Sequence, residues 1–301
     1  MSRKNGHRNR VVVTGIGVVA PNGVGLLPFW DSILTGRSGI GPITLFDPTG
    51  FKSQIAGEVK DFDPLNYIEP ELKPKRMARH TQLAYAATMM ALRDAKFDPH
   101  RLSLPSPVPV IIGVSMNSMD ILERALEMLR HDKTNRVSPS TCATSLPQAP
   151  ANVIADRIGA FAKAITISSA CPSGLDAVAD AAALIRAGEA DFAVAGGTDA
   201  PITPIAMASF TAANLSSCRN DEPHKASRPF DLERDSGVIS EGAAIFILEN
   251  LEVAEARGAK PYLEIIGYSK QRDLDPDVHG SGLEYSMKMA LANAERTIND
   301  V

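Results

Sequence analysis

Three thiols, Cys142, Cys171 and Cys218, are spread along this 301-residue chain, and one of them has a setting that suits nucleophilic chemistry. In I-T-I-S-S-A-C-P-S-G-L-D-A-V, Cys171 stands where an apolar run ends and a helical pattern begins. Pro172 suits the first position of that helix, because its missing N–H costs nothing there. A sulfur at a helix start meets unpaired backbone N–H groups and the positive end of the helix dipole. Both favour the thiolate, the form that attacks an acyl thioester. Ser173 and Gly174 are small, which predicts that a substrate can approach the turn closely. A cysteine beside Ala170 also reads as a small buried hydrophobe, and residue chemistry alone leaves both readings open. Cys142 and Cys218 lack the strand-to-helix setting and read as inert. The odd number and wide spacing of the three cysteines argue against a disulfide framework or a paired-cysteine metal site.

The elements that must position Cys171 can be read around it. Residues 165–168 predict a strand, 172–187 a helix stopped by Gly188, and 192–195 a second strand. Such a unit closes with parallel strands and a right-handed crossover. Upstream, residues 11–14 predict a β-branched strand ending in a glycine turn, and 29–35 a short helix stopped by Gly36. Residues 76–95 carry the longest helical pattern of the first half, with Leu83, Ala87, Met90 and Ala91 on one side. Residues 108–114 predict a buried strand whose neighbours Pro105, Pro107 and Pro109 suggest that a loop delivers it into the sheet, 121–129 a helix, and 138–150 an irregular stretch rich in Pro, Ser and Thr. Downstream, a helix at 207–214, a strand at 243–249, a helix at 251–257 and a strand at 262–268 complete an α/β pattern with parallel or mixed buried sheets.

Composition narrows the partners. Lys plus Arg total 31 against 35 Asp plus Glu, a net charge of −4, so no overall field draws the chain to nucleic acid or an anionic membrane. A basic start followed by V-V-V-T-G-I-G-V-V-A-P superficially resembles a signal peptide. Thr14, Gly15, Gly17 and Pro21 interrupt the apolar run, so residues 1–9 read as a disordered basic tail entering a strand. No run of about 18 apolar residues predicts a membrane span. The expectation is a cytoplasmic protein with free thiols.

The string S-S-A-C-P-S-G resembles the active-site motif of β-ketoacyl-acyl-carrier-protein synthases, and other motifs accompany it in order. V-V-V-T-G-I-G-V-V-A-P-N-G resembles the family's opening strand and turn, with G-R-S-G-I beyond it. A-D-F-A-V-A-G-G-T-D-A follows the cysteine helix, and K-A-S-R-P-F-D-L-E-R-D-S-G-V-I-S-E-G-A-A-I-F-I-L-E follows that. The resemblance runs from about Arg10 to the end and is nearest the type II elongating enzymes of fatty-acid biosynthesis.

What the resemblance implies is a thiolase-like, layered α-β-α-β-α fold made of two similar halves. Residues 10–258 would form the first half and 259–301 the beginning of a truncated second. It implies that Cys171 takes an acyl group from the phosphopantetheine arm of an acyl-carrier protein, before decarboxylative condensation with malonyl-carrier protein. No metal or redox cofactor is implied. The family works as a homodimer, and here a completing partner chain is the other possibility. By motif position Phe210 falls near the acyl pocket, though it also reads as an ordinary core residue. Lys75 and Arg76 match a basic patch for an acidic carrier protein, and equally a solvated helix end. The family uses two histidines beside the cysteine. Aligning Gly280 and Gly282 puts Arg272 or Asp273 where the first belongs, and His279 reads as a surface-loop residue. The second would lie beyond Val301. Two alternatives therefore accompany a condensing enzyme: a non-condensing acyl-transfer or decarboxylating homologue, and a non-catalytic partner subunit of a complete synthase. No G-x-G-x-x-G opens a helix, which counts against a dinucleotide fold.

Overall fold

A computed structural model describes residues 9–97, 108–116, 118–159, 162–273 and 280–301. In chain order these form β1 (Val11–Ala20), β2 (Gly23–Val24), α1 (Leu26–Leu34), β3 (Ile40–Pro42), β4 (Ile55–Gly57), α2 (Arg79–Asp94), β5 (Val108–Gly113), α3 (Met119–Arg130) and α4 (Thr141–Thr144). There follow α5 (Ala149–Ile158), β6 (Ala162–Ile167), α6 (Ser173–Arg186), β7 (Phe192–Asp199), α7 (Pro204–Ala212), β8 (Gly242–Asn250), α8 (Leu251–Ala256), β9 (Leu263–Glu264) and α9 (Ser281–Asn293).

The main sheet runs β2-β1-β8-β7-β5-β6, with β9 also paired to β1. β5 is parallel to both β6 and β7, while β8 is antiparallel to β7 and β1. The expected strand–helix–strand unit is thus present as β6-α6-β7, its two strands parallel with β5 between them. Period-2 alternation sorts the core onto both faces. Val110 and Ile112 join Val194, Ile245 and Ile247 in packing against α2 and α5. Ile111 points the other way, and with Ala193, Ala195 and Leu248 it packs against α6. A smaller cluster of Ile43, Ala56, Ile202 and Met207 seals β3 and β4 against α7. Fully buried Glu249 in β8 is held by Arg257 and by the Thr14 hydroxyl, and Arg257 also donates to the Ala95 carbonyl at 2.9 Å. A buried carboxylate is tolerable with that many donors.

Several boundaries differ from the sequence reading for identifiable reasons. β1 does not end in a glycine turn at residue 14 but continues to Ala20. Gly15 and Gly17 lie inside it because the backbone of α2 passes there: a Cβ at Gly15 would collide with the Ala91 carbonyl, and one at Gly17 with that of Ala87. The helix expected from residue 76 starts at Arg79, since Pro74–Arg76 forms its own 3-10 turn and Met77 and Ala78 are extended. The stretch 138–150, expected to be irregular, contains α4 and the start of α5, with Pro150 accommodated in the first turn. Of the strand expected at 262–268 only residues 262–265, around β9, bond to the backbone of β1. Pro109, read with the delivering loop, lies inside β5 opposite Lys163 of β6, while Pro105 and Pro107 lie outside the described residues.

A second contact repeats the first. A Cβ on Gly267 would strike Ala290 in the last turn of α9 and its C-cap Ala294, just as one on Gly15 would strike Ala91 in the last turn of α2 and its C-cap Ala95. The helices close alike, A-L-R-D-A-K and A-L-A-N-A-E, with Lys96 and Glu295 left-handed at φ 54 or below. Among the described residues no helix is long and apolar enough to cross a membrane.

Candidate active site

Cys171 lies in the turn between β6 and α6, exposed, two residues before the first helical residue. The buried-hydrophobe reading is thereby excluded. Pro172 is the N-cap of α6 and not its first helical residue, with φ −82 and ψ 4. Ala170 holds φ +64, a left-handed conformation that costs an L-residue roughly 1–2 kcal/mol. Hydrogen bonds on both sides of the cysteine hold this elbow. The Ser169 N–H donates to Ser173 Oγ at 2.9 Å, Ser173 Oγ donates to the Ala170 carbonyl at 2.5 Å, and Ser173 N–H donates to that carbonyl at 3.0 Å. Ser169 Oγ donates to Asp176 Oδ2 at 2.6 Å.

The small residues after the cysteine let the start of α6 pack closely on the sheet. Ser173 is buried, and Gly174 lies against Gly197 of β7, where an added Cβ on Gly197 would sit 2.8 Å from the Gly174 Cα. A Cβ on Gly113, at the end of β5, would collide with the backbone of Ser173. Three glycines thus let α6 start directly on the carboxyl ends of β5 and β7, the edge of an α/β sheet where ligands bind. Asp199 ties those strand ends together, accepting the Met116 N–H at 2.6 Å and the Ser115 N–H at 3.1 Å. Burial drives its carboxyl above the ordinary range, partly offset by those two donors. Thr198 donates to the His80 carbonyl at 2.8 Å.

The other residues singled out by sequence are not bonded to this turn. Phe210 is half-buried on the last turn of α7, its carbonyl accepting the Leu215 N–H. Lys75 and Arg76 are exposed on the 3-10 turn before α2, not at a helix start. A cleft of about 610 Å³ between α3 and the segment that follows β7 is lined by Met77, Arg79, Leu126, Ile202, Pro204 and Glu241 among others, and by none of Cys171, Phe210, Lys75 or Arg76. His279 lies outside the described residues. Asp273, one of two residues aligned with the family histidine, accepts the Gly280 and Gly282 N–H groups at 3.2 and 2.7 Å, at the start of α9. Sequence reasoning missed Ser169, Asp176 and Asp199. The signal for the first two was a polar side chain at each end of S-A-C-P-S-G-L-D, close enough to bond across a turn.

Residues 8–254 match the family model described as the N-terminal domain of beta-ketoacyl synthase. The chain belongs to the β-ketoacyl synthase family. It is 38% identical over 307 aligned residues to the tetracenomycin polyketide synthase ketoacyl synthase alpha subunit of Streptomyces glaucescens, covering 97% of this chain and 70% of that one. It is 39% identical over 269 residues to a 3-oxoacyl-[acyl-carrier-protein] synthase 2 of Synechocystis sp., covering 89% and 64%. Among solved structures, the ishigamide ketosynthase/chain length factor superposes with a TM-score of 0.84 at 30% identity, over 98% of this chain and 72% of the other. A type II acyl-carrier protein in complex with its ketosynthase gives 0.83 at 32%, over 98% and 72%. The chain spans 63–70% of the length of the curated relatives it matches. The thiolase-like α/β fold class expected from the motifs is that of these ketosynthases.

Proposed function

We propose that this chain carries the acyl-accepting thiol of a β-ketoacyl-acyl-carrier-protein synthase of fatty-acid or polyketide biosynthesis, with Cys171 as nucleophile. The observation that carries this reading is an exposed sulfur two residues ahead of a 14-residue helix, on an elbow whose preceding residue holds φ +64. The Cys171 sulfur attacks the thioester carbonyl of an acyl-phosphopantetheine. A new carbon–sulfur bond forms, the bond to the pantetheine sulfur breaks, and the departing thiol takes the proton that Cys171 gives up. The Cys171 N–H, which has no partner among the described residues, is available to the oxyanion formed meanwhile.

A relative solved with its acyl-carrier protein supports such a donor here. The exposed Lys75 and Arg76 would meet its acidic surface, and half-buried Phe210 would line the acyl path. The repeated glycine–alanine contact supports a first half over residues 10–258 and the start of a second over 259–301. A second copy, or a completing partner chain, would cover the apolar surface of α9. The test is intact-mass analysis after incubation with acyl-carrier protein charged with a fatty acyl group. One acyl group should be retained by the wild type and none by Cys171→Ala, and equal labelling of both ends the reading.

The engagement of Asp273 at the start of α9 favours a second reading, acyl transfer or decarboxylation without condensation. With malonyl-carrier protein it gives carbon dioxide, or transfer alone, and no longer chain.

A further inference from the structure

Asp176 is a buried carboxylate in the first turn of α6 with no ion-pair partner among the described residues. Its bond from Ser169 Oγ, at 2.6 Å, spans the nucleophile turn. Ser169 is the second residue before Cys171, and its N–H is already committed to Ser173 on the other side. Without the side-chain bond, the strand end would be tied to the helix by Ser173 alone, and Ala170 would be freer to leave its left-handed conformation. A buried carboxylate is costly unless paired or hydrogen-bonded, and the positive end of α6 offsets part of that cost.

We infer that Asp176 is a positioning residue, which acts through Ser169 to hold the Cys171 sulfur at the start of α6. The inference rests on the reading of Cys171 as the acyl acceptor and assigns Asp176 no contact with substrate. Charge and hydrogen bond are separable here. Ser169→Ala removes the bond and keeps the charge. Asp176→Asn removes the charge but keeps an amide oxygen that can accept the Ser169 hydroxyl.

The experiment alkylates the full chain with iodoacetamide under native conditions and follows each thiol by peptide mass. Cys142 and Cys218, both exposed, serve as internal references. The rate at Cys171 relative to Cys218 should fall about two- to fivefold in Ser169→Ala and in Asp176→Ala, the size of a helix-terminus charge interaction. Asp176→Asn should recover most of it, and the Ser169→Ala/Asp176→Ala double variant should be no slower than either single one. Unchanged ratios in both alanine variants overturn the inference. So does an Asp176→Asn variant as slow as Asp176→Ala, which would assign the effect to charge, or a parallel change at all three cysteines, which would assign it to unfolding. Acylation measured on the same samples is a separate readout. Its absence in the wild type sinks the acyl-acceptor reading while the alkylation ratios still decide the role of Asp176.

Discussion

His80 is a buried base beside the strand ends, with Ser118 Oγ 3.0 Å from its Nδ1 as a neutral partner. Burial lowers its pKa from the ordinary 6.5 to about 4. Between those values the unfolded chain binds a proton that the folded chain does not, so stability falls as pH drops through the window and levels off below it. The difference is worth about 3 kcal/mol at most. Denaturant unfolding of the wild type from pH 7 to pH 4 should show that loss, and His80→Gln, which stays neutral, should show a curve flatter by a similar amount. Asp199 acts in the opposite sense, since its raised carboxyl gains stability on protonation, but it does so in both proteins and cancels in the comparison. Parallel curves for the two proteins would mean that His80 is not neutral in the native state.

At the scale of elements, the seam between α6 and the sheet converts three glycines into the placement of a thiol. Gly113→Ala drives a methyl group into the Ser173 backbone, and neither side can yield without moving the helix start. Overpacking of this kind costs roughly 1–3 kcal/mol. Urea unfolding should register that loss, and retention of an acyl group at Cys171 should fall with it. Gly237→Ala, with nothing within 4 Å of the added carbon, should leave stability nearly unchanged. Equal midpoints for the two variants would show that α6 is free to shift. The seam also marks where sequence reasoning stops. The β6-α6-β7 unit and the setting of Cys171 were legible because a β-branched run, a proline and helical periodicity are local signals. Gly15 and Gly17 misled, because a glycine that ends a strand and a glycine that admits a crossing helix are the same residue until the helix is seen. Lys75 and Arg76 were misplaced onto a helix start for a related reason: Pro74 begins a separate turn, and helical composition continues across the break. That Gly174 also makes room for Gly197 was not visible in the sequence, because the two are 23 positions apart. The bond from Ser169 to Asp176 depends on how the turn folds back, which spacing suggests but does not fix.

Across the whole molecule, the same strand-and-helix contact is made twice but rewarded unequally. α2 buries ten of its sixteen residues between the sheet and α5, whereas in α9 Gly282 is the buried residue. Leu283 is 61% exposed and Met287 58%, on a helix whose counterpart lies under a core cluster. Apolar burial supplies most of what holds a helix in water, so α9 should open without the rest of the molecule, at a free energy on the order of 5 kcal/mol below that of α2. Hydrogen exchange followed by mass spectrometry resolves the two, since peptides from α9 should exchange early and those from α2 last. If a second copy covers α9, its protection should rise with protein concentration while that of α2 stays constant. A rise only on adding a different chain would point to a completing partner. Protection of α9 equal to that of α2 at every concentration would show that its contacts with residues 265–273 suffice, and that the apolar face needs no cover.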